Sequence, residues 1–106
     1  MNVIEKGDIL SGTWGYGITI PRWAIVEKVT PKTVVVTELE KQMVQDTDGG
    51  YRQMGYEMPV KPFVRKGKPL RRAKRSDNYW GEYIEWNQYS MLSKWDGKPI
   101  HANYMD

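Results

Sequence analysis

The chain has 106 residues, 40% of them hydrophobic, enough for one compact core over 1–106 and too few for two ordinary domains. It has no Cys, which excludes a disulfide framework and a thiolate zinc site. The net charge of +3 conceals an asymmetry: residues 61–75 hold eight of the 16 cationic side chains and none of the 13 acidic ones.

In chain order, GDILSG at 7–12 reads as a first strand, followed by a glycine-rich loop at 12–17 around Trp14 and Tyr16. RWAIVEKV at 22–29 and KTVVVTELE at 32–40 are β-branched runs joined by a Pro31 turn, which predicts a hairpin. DTDGG at 46–50 is a second turn. YRQMGYEM at 51–58 then alternates, with Met54, Tyr56 and Met58 on one face, so a second hairpin is expected. Pro59 and Pro62 interrupt the ladder, and the chain is expected to cross there to a new strand or sheet.

The basic stretch VRKGKPLRRAKRS at 64–76 follows, read as a turn at Gly67-Lys68-Pro69 and then an edge strand in preference to a short helix begun at Pro69. YWGEYIEW places Trp80, Ile84 and Trp86 on one face and Tyr79 and Tyr83 on the other. NQYSMLSK has room for one helical turn, and Asp96-Gly97 carries the type I′ signal that would pair the segments on either side of it. Short strands, frequent turns and an aromatic-rich, leucine-poor composition predict a mostly β fold: one small SH3-like barrel or sandwich of six or seven strands.

No constellation names a reaction. His101 has no nucleophile motif beside it, Asp46 and Asp48 open a calcium-loop pattern that lacks its later ligands, and Glu82 and Glu85 point to opposite faces of a strand. The chain is therefore read as non-enzymatic, with no cofactor and no metal. No apolar stretch nears the roughly 20 residues that span a bilayer, and the start lacks a signal-peptide pattern, so a cytoplasmic location is expected.

The expected contact residues are Arg65, Lys66, Lys68, Arg71, Arg72, Lys74 and Arg75 on an anionic partner, with Tyr79 and Trp80 beside them, and Trp14 and Tyr16 as a second contact loop. Cations next to exposed rings suit nucleic acid or a nucleoprotein, and equally a host-protein interface anchored by Tyr, Trp and Arg. A solvated edge strand guarded by Lys and Arg is the plain alternative.

Three motifs carry a resemblance: Gly7-Asp8-Ile9, Trp14-Gly15-Tyr16 and Trp95-Asp96-Gly97-Lys98-Pro99. The chain resembles a group of small, poorly characterised proteins encoded by phages and other mobile elements, whose usual Gln-Thr-Asn step after W-G-Y is replaced here by Gly17-Ile18-Thr19-Ile20-Pro21. The resemblance implies a phage setting and an accessory protein that binds host or phage machinery, anti-defence inhibitors included. It brings no catalytic residues.

Overall fold

The structure is a computed structural model that describes residues 3–15, 18–47, 49–50, 53–79, 81–87 and 90–104. Its described residues form nine strands: β1 (Ile9–Trp14), β2 (Ile20–Val29), β3 (Thr33–Leu39), β4 (Lys41–Asp46), β5 (Met54–Pro59), β6 (Arg65–Asp77), β7 (Gly81–Asn87), β8 (Ser90–Lys94) and β9 (Ile100–Asn103). Six of them close an antiparallel barrel in the order β1-β2-β3-β6-β7-β8, and β4-β5-β9 make a second sheet. The predicted mostly β class and small barrel hold.

The barrel follows from period-2 alternation. Leu10, Ala24, Val26, Val34, Val36, Ile84, Trp86 and Leu92 point inward and are buried, and Ile4 joins them in the core. Each large aliphatic side chain removed from water in this way contributes about 1.5–3 kcal/mol. The β2–β3 hairpin forms as predicted, with Thr30 and Thr33 exchanging hydroxyl and backbone bonds across its turn. One residue departs from the ladder: Val26 pairs Val36 but Lys28 pairs Val35, so Glu27 is bulged out.

The barrel seam joins its first and last strands. Among the described residues, Leu10↔Lys94 and Ser11↔Ser93 pair there, and the next inward position is Gly12, where a Cβ would run into the Met91 carbonyl and crowd Leu92. The two strands approach this closely because position 12 has no side chain.

The second sheet covers the outer face of one barrel end. Trp23, fully buried, meets Trp95 edge-on with ring centroids 6.0 Å apart. Glu57 is buried and paired with Lys41 at 2.9 Å, while the Tyr104 hydroxyl donates to both Glu57 oxygens at 2.8 Å. Lys41 also donates to the Pro21 carbonyl at 2.9 Å, which fastens the sheet to β2. Burial first, and the Glu57 carboxylate with it, hold the Tyr104 hydroxyl above the usual phenol range.

Five expectations are corrected. Gly67-Lys68-Pro69 is a bulge inside β6 and not a turn: Val36 pairs Leu70 and Glu38 pairs Lys66, so three residues stand opposite Thr37 alone, and Gly67 supplies the left-handed φ of 83°. β6 is not a simple edge strand, since β3 pairs it over Arg65–Ala73 and β7 over Lys74–Asp77. Within NQYSMLSK at 87–94, where one helical turn was expected to fit, Ser90–Lys94 is strand β8. The Asp96-Gly97 turn does not pair its flanks; it sends the chain from β8 in the barrel to β9 in the other sheet. The predicted loop at 12–17 begins later, because β1 runs to Trp14, and Tyr16 lies outside the described residues.

Candidate nucleic-acid interface

Strand parity sorts the basic run into two groups. Arg71 and Arg75 lie on the outer face of β6, while Arg72 and Lys74 share the inner face with Val34 and Ile84 through their cross-strand partners. The inner pair is engaged within the fold. Arg72 donates from Nε to the Trp86 carbonyl at 3.1 Å and from Nη1 to the Arg71 carbonyl at 2.9 Å, and its guanidinium lies 5.6 Å from the Trp86 ring centroid. Backbone pairing of β6 with β7 stops at Lys74↔Ile84, so Arg72 bridges the place where the two strands part. Lys74 pairs Glu82 at 3.4 Å with only 13% of its side chain exposed.

Arg65 is also occupied. Its Nε and Nη2 reach the two Glu27 oxygens at 2.7 and 2.8 Å, a bidentate clamp, and Thr37 donates to the same carboxylate at 2.8 Å. The Arg65 hydrogen bond, followed by that from Thr37, holds the Glu27 carboxyl down at about 2. The partner guanidinium is raised for the same reason.

Among the described residues, Lys66, Lys68 and Arg71 have no carboxylate partner, and all three are exposed. Arg75 faces Glu85 at 3.8 Å with both side chains half exposed, a pair that water and salt largely screen. Tyr79 is 94% exposed in the turn after β6, its backbone N–H held by Asp77. Trp80 lies outside the described residues.

The fold adds cations that the sequence reading missed. Lys28 pairs Val35, and Val35 pairs Arg71, so a row runs across the outer faces of β2, β3 and β6 with an exposed cation at each end. Two strand spacings put those backbones about 10 Å apart. Arg75 continues the face along β6, and Lys32 is exposed at the hairpin tip, its carbonyl bonded to Lys74 N–H. Thr33, Val35 and Ala73 fill the ground between them without an acid. The result is a shallow outward face carrying Lys28, Lys32, Arg71 and Arg75, with Tyr79 at its edge.

Trp14, the other described contact residue, is not a free ring on a loop. It is partly buried on the inner face at the end of β1, with the Arg22 guanidinium 5.8 Å from its centroid. His101, set aside at the sequence level, is exposed and packs edge-on against Tyr56. Among the described residues no group of three His, Cys, Asp or Glu is placed to hold a metal, and no helix is long and apolar enough to cross a membrane.

No protein-family model, curated protein or solved structure matches the chain.

Proposed function

We propose that this chain is a non-enzymatic accessory protein of the phage type that binds nucleic acid, alone or within a nucleoprotein, through the outer face of β2, β3 and β6. The observation that carries the reading is the Lys28–Val35–Arg71 row with Arg75 and Lys32 beside it: cations from three elements on one solvent face, where Arg75 meets only the half-exposed Glu85 at 3.8 Å. Such a face attracts phosphates by charge alone and releases counterions on contact. Tyr79, fully presented beside it, offers a stacking surface that only an unpaired base can use, which favours single strands. The phage setting rests on the Trp14-Gly15-Tyr16 and Trp95–Pro99 motifs.

Binding of a fluorescent single-stranded oligonucleotide, measured from low to moderate salt, tests this. With about four phosphates engaged, log affinity should fall against log salt with a slope near −3. Replacing Lys28, Lys32, Arg71 and Arg75 together by Gln should abolish binding at an unchanged melting temperature. A wild-type protein that shifts neither DNA nor RNA at low salt would end the proposal.

A second reading, a protein inhibitor or adaptor, has its own observation. Phe63, Val64 and Leu70 are 38%, 47% and 36% exposed in the same stretch as the free Lys66 and Lys68. Apolar anchors with a cationic rim suit a protein partner. A host protein that stays bound after nuclease treatment, and is lost from a Phe63→Ser, Val64→Ser, Leu70→Ser variant, would favour it.

A further inference from the structure

The barrel interior changes character at one end. Its inward positions, apolar through Leu10, Ala24, Val36 and Leu92, become Trp14, Arg22, Glu38, Arg72, Trp86 and Ser90. Arg22 stands between two indoles, 5.8 Å from the Trp14 centroid and 5.1 Å from that of Trp86, and Arg72 lies on Trp86 as well. Glu38 approaches Arg22 at 3.6 Å and is the one carboxylate among these six, so the end keeps an excess of positive charge.

Two donors at this end are unused. Ser90 is 2% exposed, and its Oγ has no hydrogen-bond partner among the described residues; the same holds for Trp14 Nε1. The β1–β8 register of Leu10↔Lys94 and Ser11↔Ser93, carried on past the close approach at Gly12, sets Trp14 beside Ser90. A third unpartnered donor, Trp23 Nε1, belongs to the opposite face of β2 and does not contribute. Leaving a buried hydroxyl and an N–H unsatisfied is costly, so Trp14 against the Arg22 guanidinium, with Ser90 beside it in register, calls for an acceptor. A tetrahedral oxyanion matches the donor types gathered here, a guanidinium, an O–H and an indole N–H.

We propose that this barrel end is a binding site for a phosphoryl group, held by Ser90 Oγ, Trp14 Nε1 and the Arg22 guanidinium. The site is separate from the outer face of β2, β3 and β6 and does not depend on that face binding nucleic acid. The phosphoryl group has two sources, the end of a nucleic-acid strand or a free phosphorylated small molecule.

Tryptophan fluorescence of the full chain, titrated with inorganic phosphate, reads the site directly because both indoles line it. A saturable change is expected. Trp14→Phe keeps an aromatic face toward Arg22 but removes the N–H together with the rest of the indole, whereas Ser90→Ala removes only the hydroxyl; each should weaken phosphate binding at least about tenfold. Ser90→Ala should not lower the melting temperature of the phosphate-free protein, since it deletes an unsatisfied donor and nothing else. The variant lacking Lys28, Lys32, Arg71 and Arg75 should keep the phosphate response, which separates failure here from failure of the outer face. Preference for a 5′-phosphorylated oligonucleotide over its 5′-hydroxyl form, lost in Ser90→Ala, assigns the group to a strand end. Equal binding of the two assigns it to a small molecule. An absent fluorescence response in the wild type, or undiminished affinity in both Trp14→Phe and Ser90→Ala, overturns the site.

Discussion

Arg71 and Arg72 are neighbours in sequence, chemically identical, and put to opposite uses by the two faces of β6. Arg71 stands in water with no acid near it, while Arg72 lies over Trp86 and satisfies two carbonyls where β6 and β7 separate. Lys74, two residues past Arg72, and Arg75, four past Arg71, repeat the contrast. A strand divides a charge run by parity, so the number of cations in a segment says little about how many can meet a partner. One face holds the barrel together and the other is free to bind.

The strongest way to break this contrast is to remove Arg72. Arg72→Ala leaves the Trp86 carbonyl without its donor and uncovers the indole, and should cost about 2–3 kcal/mol. For a chain of this size that lowers the melting temperature by roughly 10–20 °C, readable by circular dichroism. Arg71→Ala should stay within about 0.5 kcal/mol of wild type.

Next in size is the reverse experiment on binding. Arg71→Gln with Arg75→Gln should reduce the steepness of the log affinity against log salt plot by about 1.4–1.8 while leaving stability unchanged. An equal reduction from Lys74→Gln would show that parity does not govern access.

Arg65 offers a smaller test, because an acid occupies it. The Glu27 carboxyl is held down at about 2, below its unfolded value, so the clamp stabilises the fold above about pH 4.5 and loses that contribution as pH falls toward 2. Glu27→Gln should flatten this acid limb in a pH series of melting temperatures. The same change frees Arg65 and should steepen the salt dependence of binding by up to about 0.9. The smallest effect separates the two arginines by shape: Arg71→Lys should be nearly silent, while Arg72→Lys, which cannot reach both carbonyls in a planar fork, should destabilise.

Much of the architecture was legible where local chemistry and tertiary placement agree. VEKVTPKTVVV specifies its own hairpin, and the prolines at 59 and 62 mark the step from the second sheet back to the barrel. Gly67-Lys68-Pro69 and Asp96-Gly97 misled for one reason. A left-handed glycine serves a turn or a bulge equally well, and a tight turn does not record whether its flanks pair with each other. Lys28 was invisible as a site residue because simple alternation from Ala24 and Val26 would turn it inward. The bulge at Glu27 inserts one residue and puts it outside. The barrel-end cluster joins residues 14, 22, 72, 86 and 90, which no local pattern connects.

Gly12 has a bearing on time as well as space. The seam it permits joins strands about eighty residues apart in the chain, so closing it carries a large loop entropy, and the few bonds formed there return little of it early. Closure of this seam should therefore come late in folding. A methyl group at position 12 would act on the rate at which the barrel shuts and reopens, and the Leu10 and Ser11 amides would report it first as faster hydrogen exchange.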